Sequence, residues 1–241
     1  MQQRRGSKAA FWNMRGLIDK LDRILGAPLD PADTNGQMLA GVSVALREQP
    51  EADFEALFIR RSVREDDPWS GHMAFPGGRF DDGDHSLKHT AIRETHEEIG
   101  LDLVTFGEYL GALAPLEPMR STPPRNLIIE PHFFLLRETP DLTLDHLEVA
   151  EAMWLPLAPM LSGETHTATE YFFDGRARRF PSFSTPGDQP IWGLTYRILE
   201  TLFGLIDPHF KPLDLSKADL VTDLDGQVSH AIIQGVRSER L

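Results

Sequence analysis

Apolar residues return at helical spacing in three parts of the chain. In each part an apolar side chain recurs every three or four positions, which is the period of an amphipathic helix with one buried face. The predicted helices cover residues 11–25, 86–99 and 190–206. Asp84 or Ser86 would cap the start of the second helix, and Gly100 would follow its end.

Between the helices, apolar residues occur in short runs that predict β-strands. The Asp174-Gly175 pair between two such runs is a strong hairpin signal. The predicted strands lie at residues 42–46, 54–61, 106–113, 127–136, 152–155, 171–173 and 178–183. Strands mixed with helices at separate places predict an α+β or α/β/α layered domain. We expect this domain at residues 36–206, after an N-terminal helical extension over 1–35 and before a polar C-terminal tail over 207–241.

The composition is that of an ordinary globular protein, with 241 residues of which 41% are hydrophobic and 25% are charged. A net charge of −13 argues against general nucleic-acid binding and against binding to anionic membranes, because both need a positive surface. The absence of cysteine excludes disulfides, thiol catalysis and cysteine-type zinc sites, and it fits a cytoplasmic protein. No membrane span and no secretory signal are expected. The oligomeric state stays open, with a homodimer as one option.

Three glutamates cluster on the second predicted helix. Glu94, Glu97 and Glu98 fall within an arc of roughly 100° that borders the apolar face, at the lip of a cleft. Like charges at this spacing repel by roughly 0.2–0.5 kcal/mol a pair, and the helix dipole disfavours acids in the last turn by about 0.3–1 kcal/mol each. A divalent cation such as Mg²⁺ or Mn²⁺ would relieve both penalties, since carboxylates are its preferred ligands. From the spacing alone, a solvated acidic helix face is the favoured alternative.

Residues next to the glutamates shift the balance towards a cation site. Gly77 and Gly78 let the backbone approach an ion or a phosphate closely. Arg93 can clamp a carboxylate with two parallel hydrogen bonds and so fix the acidic cluster. A water molecule beside such a cation would have a lowered pKa and could act as a nucleophile.

This region resembles the signature of the Nudix hydrolases, G-x5-E-x7-R-E-U-x-E-E-x-G-U, in which U is an aliphatic residue. Residues 93–101, RETHEEIGL, match the second half, with Thr95 in place of an aliphatic residue. In the first half Arg79 stands in place of the glycine and His85 in place of the glutamate. An acid, Asp84, lies one residue earlier.

The shifted acid and the sequence FPGG at 75–78 are similar to the coenzyme A pyrophosphatase branch of this family. In that comparison Asp84 takes the supporting role of the missing glutamate, as the partner of Arg93. The resemblance extends from about residue 56 to 205. Further matching segments are Arg61-Ser62, Glu148-Val149, the sequence WLPL at 154–157 and the sequence IWGLT at 191–195.

The coenzyme A signature of the branch, roughly R-S-x3-R-x3-G-x3-F-P-G-G, is incomplete in this chain. One residue is inserted between Ser62 and Gly71, and Asp67 occupies the place of the second arginine. An acid at a position expected to bind phosphate should weaken the binding of an anionic substrate.

The resemblance implies a Nudix-type α/β/α sandwich with a mixed β-sheet. It also implies a pyrophosphohydrolase that depends on Mg²⁺ or Mn²⁺ and cleaves a nucleoside diphosphate linked to another moiety. A nucleotide-type small molecule is therefore the expected partner, with a coenzyme A-like substrate favoured. The alternatives are ADP-ribose, a nucleotide sugar or a dinucleoside polyphosphate as substrate, or a non-catalytic sensor that binds a nucleotide.

The same resemblance implies roles for individual residues. The implied metal ligands are Glu94, Glu97, Glu98 and the carbonyl of Gly78, with Glu148 as a further carboxylate from a distal loop. An equally favoured reading of Glu148 is that it caps the strand after it. Arg93, Glu97 and Glu98 form the implied catalytic set, in which Glu97 or Glu98 takes the proton of water. The candidates for substrate binding are Arg61, Arg79 and Arg125.

Overall fold

The computed structural model describes residues 14–31, 36–49, 54–65, 69–117, 126–173, 176–215 and 238–239. Its helices are α1 (Met14–Ile24), α2 (Leu87–Ile99), α3 (Leu103–Phe106), α4 (Ala158–Leu161) and α5 (Gly193–Ile206). Its strands are β1 (Met38–Glu48), β2 (Phe54–Arg61), β3 (Met73–Ala74), β4 (Gly77–Arg79), β5 (Gly107–Ala112), β6 (Leu127–Leu136), β7 (Val149–Pro156), β8 (His166–Phe173), β9 (Arg176–Phe183), β10 (Ile191–Trp192) and β11 (Ser238–Glu239). No helix among these residues is long and apolar enough to cross a membrane.

The larger sheet of the described residues is mixed, as predicted. Its strand order is β3-β2-β1-β6-β5, with β4 paired to β1 and β7 paired to β2. The central strands β1 and β6 run parallel, whereas the other pairs are antiparallel. A smaller antiparallel sheet has the order β10-β9-β8-β11. The predicted hairpin is present as β8 and β9, while residues 174 and 175 between them lie outside the described residues.

The larger sheet lies between two apolar layers. Helices α2 and α3 cover one face with a core that includes Ile99, Leu103 and Phe134. On the other face, α1, α5 and the smaller sheet share a second core. Leu17 and Leu21 of α1 are buried in that second core, so the described part of the N-terminal segment packs onto the domain. The arrangement confirms the layered α/β/α fold class predicted from the sequence.

Helix α2 carries the three clustered glutamates, and both of its ends follow the predicted pattern. Ser86, rather than Asp84, is the N-cap residue, because its hydroxyl accepts a hydrogen bond from the backbone N–H of His89 at 3.2 Å. Gly100 ends the helix with a φ of 68°, a left-handed conformation that glycine adopts without strain. These two residues fix which side chains lie in the last turn.

Helix α2 approaches β1 closely at Gly41. A Cβ atom at this position would overlap the backbone carbonyl of Leu87, so α2 can lie at this distance from the sheet only above a glycine. We therefore expect Gly41→Ala to lower the free energy of unfolding by about 1–3 kcal/mol, because the helix must move away. Urea denaturation would measure the change.

Gly83→Ala is the matched control for this substitution, since no atom lies within 4 Å of the place its Cβ would take. We expect that variant to stay within about 0.5 kcal/mol of the parent protein. Equal stabilities for the two alanine variants would show that α2 tolerates displacement from β1.

Candidate active site

Asp84 and Arg93 form a paired hydrogen bond at the base of the acidic helix. Arg93 Nε donates to Asp84 Oδ1 at 3.0 Å and its Nη2 donates to Oδ2 at 2.9 Å. The Asp84 side chain is only 1% exposed and also accepts hydrogen bonds from the Thr90 hydroxyl and the Asp81 backbone N–H. Burial alone would raise the pKa of Asp84, but these donors, and Arg93 first among them, hold that pKa well below its usual range.

Arg93 also contacts two of the clustered glutamates. Its Nη1 donates to Glu94 Oε1 at 2.9 Å and to Glu97 Oε2 at 3.0 Å, and its Nη2 donates to the backbone carbonyl of Arg79 at 3.1 Å. The bond to Asp84 is the largest cause that raises the pKa of the Arg93 guanidinium, and Glu94 adds to it. Arg93 therefore ties Asp84 and the start of the cluster to the end of β4.

Glu98 is the buried acid of the cluster. Its side chain is 2% exposed, its Oε2 accepts a hydrogen bond from the Gly77 N–H at 2.9 Å, and its Oε1 lies 4.0 Å from Arg61 Nη1. Burial raises the pKa of Glu98 to about 8, and the negative charges of Glu94 and Glu148 act in the same direction. The Gly77 N–H and Arg61 thus provide too little positive charge to offset burial and the two neighbouring carboxylates at Glu98.

Glu94 lies directly against the backbone of Gly78. A Cβ atom at Gly78 would overlap the Glu94 carboxylate, so a side chain at this position would displace the carboxylate from its place beside β4. Burial raises the pKa of Glu94, and the charges of Glu97 and Glu148 contribute to the rise. Glu97 itself is more open to solvent, with 56% of its side chain exposed.

Glu148 reaches the cluster because the loop before β7 wraps over the end of α2. The N–H groups of Thr143 and Asp145 donate to the carbonyls of Ile99 and Glu98, each at 2.9 Å. The loop continues to Glu148, which is exposed and whose carbonyl accepts from the Ser62 N–H at 2.8 Å. Besides burial, its charge contributes to the raised pKa of both Glu94 and Glu98.

The chemistry of this donor set fits a divalent cation. Besides burial, the charge of Glu148 raises the pKa of Glu94 and of Glu98, and such an excess of negative charge favours a bound cation. Within the described ranges, however, no three histidine, aspartate or glutamate side chains are arranged to hold one metal ion together. Two of the predicted ligands, Glu94 and Glu97, are hydrogen-bonded to Arg93 instead. The ligand set therefore stays a prediction.

The chain matches a known family model over the same region. The NUDIX domain model matches residues 38–174, more than half of the chain, and the match includes Gly78, α2 and Glu148. The chain belongs to the Nudix family.

Two relatives of this Nudix chain carry names that refer to coenzyme A. A Caenorhabditis elegans protein named peroxisomal coenzyme A diphosphatase ndx-8 is 34% identical over 152 residues, which are 63% of this chain and 62% of that protein. A Homo sapiens protein named mitochondrial coenzyme A diphosphatase NUDT8 is 30% identical over 189 residues, which are 71% of this chain and 76% of that protein.

A third relative, the uncharacterized Schizosaccharomyces pombe protein C14C4.10c, is 42% identical over 113 residues, which are 46% of this chain and 34% of that protein. The Nudix chain thus matches less than two thirds of the length of two of these three relatives.

The structure accounts for two departures from the Nudix signature. Asp84, one residue before the glutamate position, reaches Arg93, whereas His85 at that position is exposed and stacks on His89 at 5.3 Å. Thr95, at the aliphatic position, is fully buried, and its hydroxyl bonds to the Ser43 hydroxyl and to the Ala91 carbonyl, each at 2.6 Å. A polar residue is tolerated there because Ser43 of β1 satisfies it.

The three arginines predicted to bind substrate have different positions in the Nudix domain. Arg61 ends β2 and points towards Glu98, as its 4.0 Å distance shows. Arg79 ends β4 and is exposed, and its backbone carbonyl accepts a hydrogen bond from the guanidinium of Arg93. Arg125 lies outside the described residues. The structure therefore brings two of the three to the edge of the acidic cluster.

Two supporting residues were missed by the sequence analysis. Thr90 donates to Asp84 from the first turns of α2, and Ser43 holds Thr95 from the sheet. The sequence does contain a signal for Ser43, because this small polar residue interrupts an otherwise apolar strand. Thr90 carried no comparable signal, since a threonine in a helix is common and its partner is set by the turn before α2.

Proposed function

We propose that this Nudix chain hydrolyses a phosphoric anhydride bond in a nucleoside diphosphate linked to a second moiety, with Mg²⁺ or Mn²⁺ as cofactor. The observation that carries the proposal is the buried Glu98 carboxylate, whose pKa is raised beside Glu94, Glu148 and the backbone of Gly78. A folded protein gains nothing in stability from such a cluster, so a ligand of opposite charge is the physical reason to keep it. The names of the relatives agree with an enzyme that acts on diphosphates.

In this proposal the acids and the adjacent backbone would hold the cation. Glu98 and Glu94, with the carbonyl of Gly78, form the inner part of the site, and Glu97 and Glu148 complete it from the solvent side. When bound, the cation supplies positive charge opposite the diphosphate oxygens and makes an attacking water more acidic. Arg93 acts as a positioning residue, since its two hydrogen bonds to Asp84 set where it meets Glu94 and Glu97.

In the proposed site, different residues bind the substrate and accept the proton of the attacking water. Arg61 and Arg79 stand at the ends of two strands beside the acids, where a guanidinium can neutralise a phosphate oxygen. The proton of the attacking water goes to a carboxylate, either Glu97 or Glu98. Glu97 is the more exposed of the two, whereas burial raises the pKa of Glu98 to about 8.

Coenzyme A is the favoured substrate of the proposed hydrolase, because two relatives with 30–34% identity carry that name. ADP-ribose, nucleotide sugars and dinucleoside polyphosphates are the alternatives, since Asp67 departs from the branch signature outside the described residues. We assign the activity to residues 36–206, with the flanking segments as extensions. A cytoplasmic location stays a prediction, as the two relatives are named as peroxisomal and mitochondrial.

An assay panel tests the proposed activity. The purified protein with Mg²⁺ or Mn²⁺ is offered coenzyme A, ADP-ribose, nucleotide sugars and diadenosine polyphosphates, and the products are identified. We expect coenzyme A to yield 3′,5′-ADP and phosphopantetheine, and we expect a chelator to abolish turnover. Cleavage of ADP-ribose or a nucleotide sugar alone would support the alternative substrates. Nucleotide binding without any turnover would contradict the enzyme and favour a sensor.

A further inference from the structure

Two histidines lie close together where α2 begins. His85 comes directly before the N-cap residue, and His89 lies in the first turn of the helix. Both residues are exposed to solvent. Their ring centroids are 5.3 Å apart, and the ring planes are inclined by 27°. We refer to these two residues as the histidine pair.

One member of the histidine pair is oriented by a buried carboxylate. His89 Nδ1 lies 2.9 Å from Asp84 Oδ1, and the Asp84 side chain is only 1% exposed. Although burial raises the pKa of Asp84, the hydrogen bonds from Arg93 and its neighbours hold that pKa well below its usual range, so the carboxylate can only accept hydrogen bonds at neutral pH. Nδ1 of His89 therefore carries the proton, which leaves the lone pair of the neutral ring on Nε2.

This contact is the one that metal-binding histidines typically make. A histidine that binds a metal through one ring nitrogen almost always donates its other N–H to a carboxylate, a backbone carbonyl or water, which fixes the ring and raises its basicity. Asp84 has that supporting position for His89. Asp84 Oδ1 also accepts from Arg93 Nε at 3.0 Å, so the supporting carboxylate is itself held in place.

The spacing of the histidine pair fits a shared metal ion. Zn–N bonds are about 2.0–2.1 Å long, so two imidazoles on one tetrahedral zinc have ring centroids about 5 Å apart. The observed distance of 5.3 Å is close to this value. Imidazole nitrogen suits Zn²⁺, Ni²⁺ and Cu²⁺, whereas carboxylates suit Mg²⁺ and Mn²⁺. The histidine pair thus favours a different class of ion from the acidic cluster.

The charges around the histidine pair also favour a cation. Asp81 and Asp82 are exposed on the turn before α2, and they oppose the partial positive charge of the helix N-terminus. The ammonium of Lys88 lies over the Tyr109 ring, 4.1 Å from its centroid. Among the described residues no group of three histidine, aspartate or glutamate side chains is placed to share one ion, so water would supply the remaining ligands.

We infer that His85 and His89 form a second cation site, which binds a transition metal ion such as Zn²⁺ through Nε2 of His89 and a ring nitrogen of His85. Asp84 is its positioning residue. The inference does not depend on the proposed hydrolase, since neither histidine belongs to the proposed Mg²⁺ site. A metal on Nε2 draws electron density from the ring and makes Nδ1–H a stronger donor, so its binding affects the Asp84 oxygen that Arg93 also contacts.

The affinity for zinc, measured by calorimetry, tests this inference. Zn²⁺ is titrated into the parent protein, His85→Gln, His89→Gln and His96→Gln, each with excess Mg²⁺ to compete at the acidic cluster. We expect His85→Gln and His89→Gln each to weaken binding by about tenfold, because one of two joined ligands is lost. His96→Gln is the matched control, since this histidine is exposed in the last turn of the same helix and should leave the affinity unchanged.

A magnetic resonance measurement tests the role of Asp84. At a Zn²⁺ concentration that saturates only the parent protein, the Arg93 Nε–H resonance should shift in the parent protein and stay in place in His85→Gln. An unshifted Arg93 resonance in the zinc-bound parent would show binding by exposed imidazoles alone and overturn the built site. A zinc affinity that is the same in His85→Gln, His89→Gln and His96→Gln would assign the ion to the acidic cluster or to other residues and overturn the inference as well.

Discussion

Glu98→Gln is expected to lower kcat by about 10²–10³-fold and, in the absence of divalent cations, to make the protein more stable at pH 8. The loss of rate follows because the neutral amide cannot supply the charge that the proposed cation site needs. The gain in stability follows because burial and two neighbouring acids raise the pKa of Glu98 to about 8, against the ordinary 4.5. Keeping this group ionised in the folded protein has a free-energy cost that glutamine removes.

The sign of the pH dependence distinguishes this explanation from a packing effect. A carboxyl whose pKa is raised in the folded state stabilises the protein fully below about pH 4.5, and this contribution is lost as the pH rises through about 8. The parent protein should therefore match Glu98→Gln near pH 5 and fall below it at pH 8, by at most about 5 kcal/mol. Denaturation in urea with a chelator, at both pH values, measures the gap.

Glu97→Gln is the control on the same turn of α2. Because 56% of the Glu97 side chain is exposed, we expect no comparable gain in stability at pH 8 from its replacement. Added Mg²⁺ should stabilise the parent protein and have a smaller effect on Glu98→Gln, since ligands stabilise the state that binds them. A parent protein as stable as Glu98→Gln at pH 8 in chelator would contradict the burial argument.

The elements that position the site could be predicted where the sequence pattern is long and periodic. Helix α2 and strand β6 lie where their periodicity places them, over Leu87–Ile99 and Leu127–Leu136. The strand predicted at 152–155 is longer, Val149–Pro156, because it pairs with β2 along its whole length. The short strands β3, β4 and β10 were not predicted, since two or three residues carry no period and form only where a neighbouring strand offers hydrogen bonds.

The candidate site could be predicted in its residues but not in its internal contacts. The helical period places Glu94, Glu97 and Glu98 on one side of α2, yet it contains no information on which of them a neighbouring arginine contacts. That depends on Arg93, which reaches back to Asp84 in the turn before the helix and so bonds to Glu94 and Glu97 but not to Glu98. The depth of Glu98 depends on the loop that folds over the helix end, whose contacts are distant in sequence.

Asp84→Asn is expected to lower the free energy of unfolding by about 3–5 kcal/mol, the largest loss of stability among the substitutions considered. The Asp84 carboxylate is 1% exposed and holds Arg93 through two hydrogen bonds, so the amide removes the most deeply buried counter-charge of a partly buried guanidinium. Asp82→Asn is the control, because that carboxylate is exposed nearby and should change stability by less than about 0.5 kcal/mol.

The paired arrangement of Asp84 and Arg93 predicts that their substitutions are not additive. Arg93→Met leaves a buried carboxylate, and Asp84→Asn leaves a guanidinium, whereas the double variant has neither charge. The double variant should therefore lose less free energy of unfolding than the sum of the two single variants, by about 1–3 kcal/mol. The pKa of Asp84 is lowered in the fold, so its contribution is present above about pH 3.8, its ordinary value, and is lost in more acidic solution. The difference between parent and Asp84→Asn should therefore shrink below that pH. Additive costs with a difference independent of pH would mean that Arg93 is held by Glu94 and Glu97 alone.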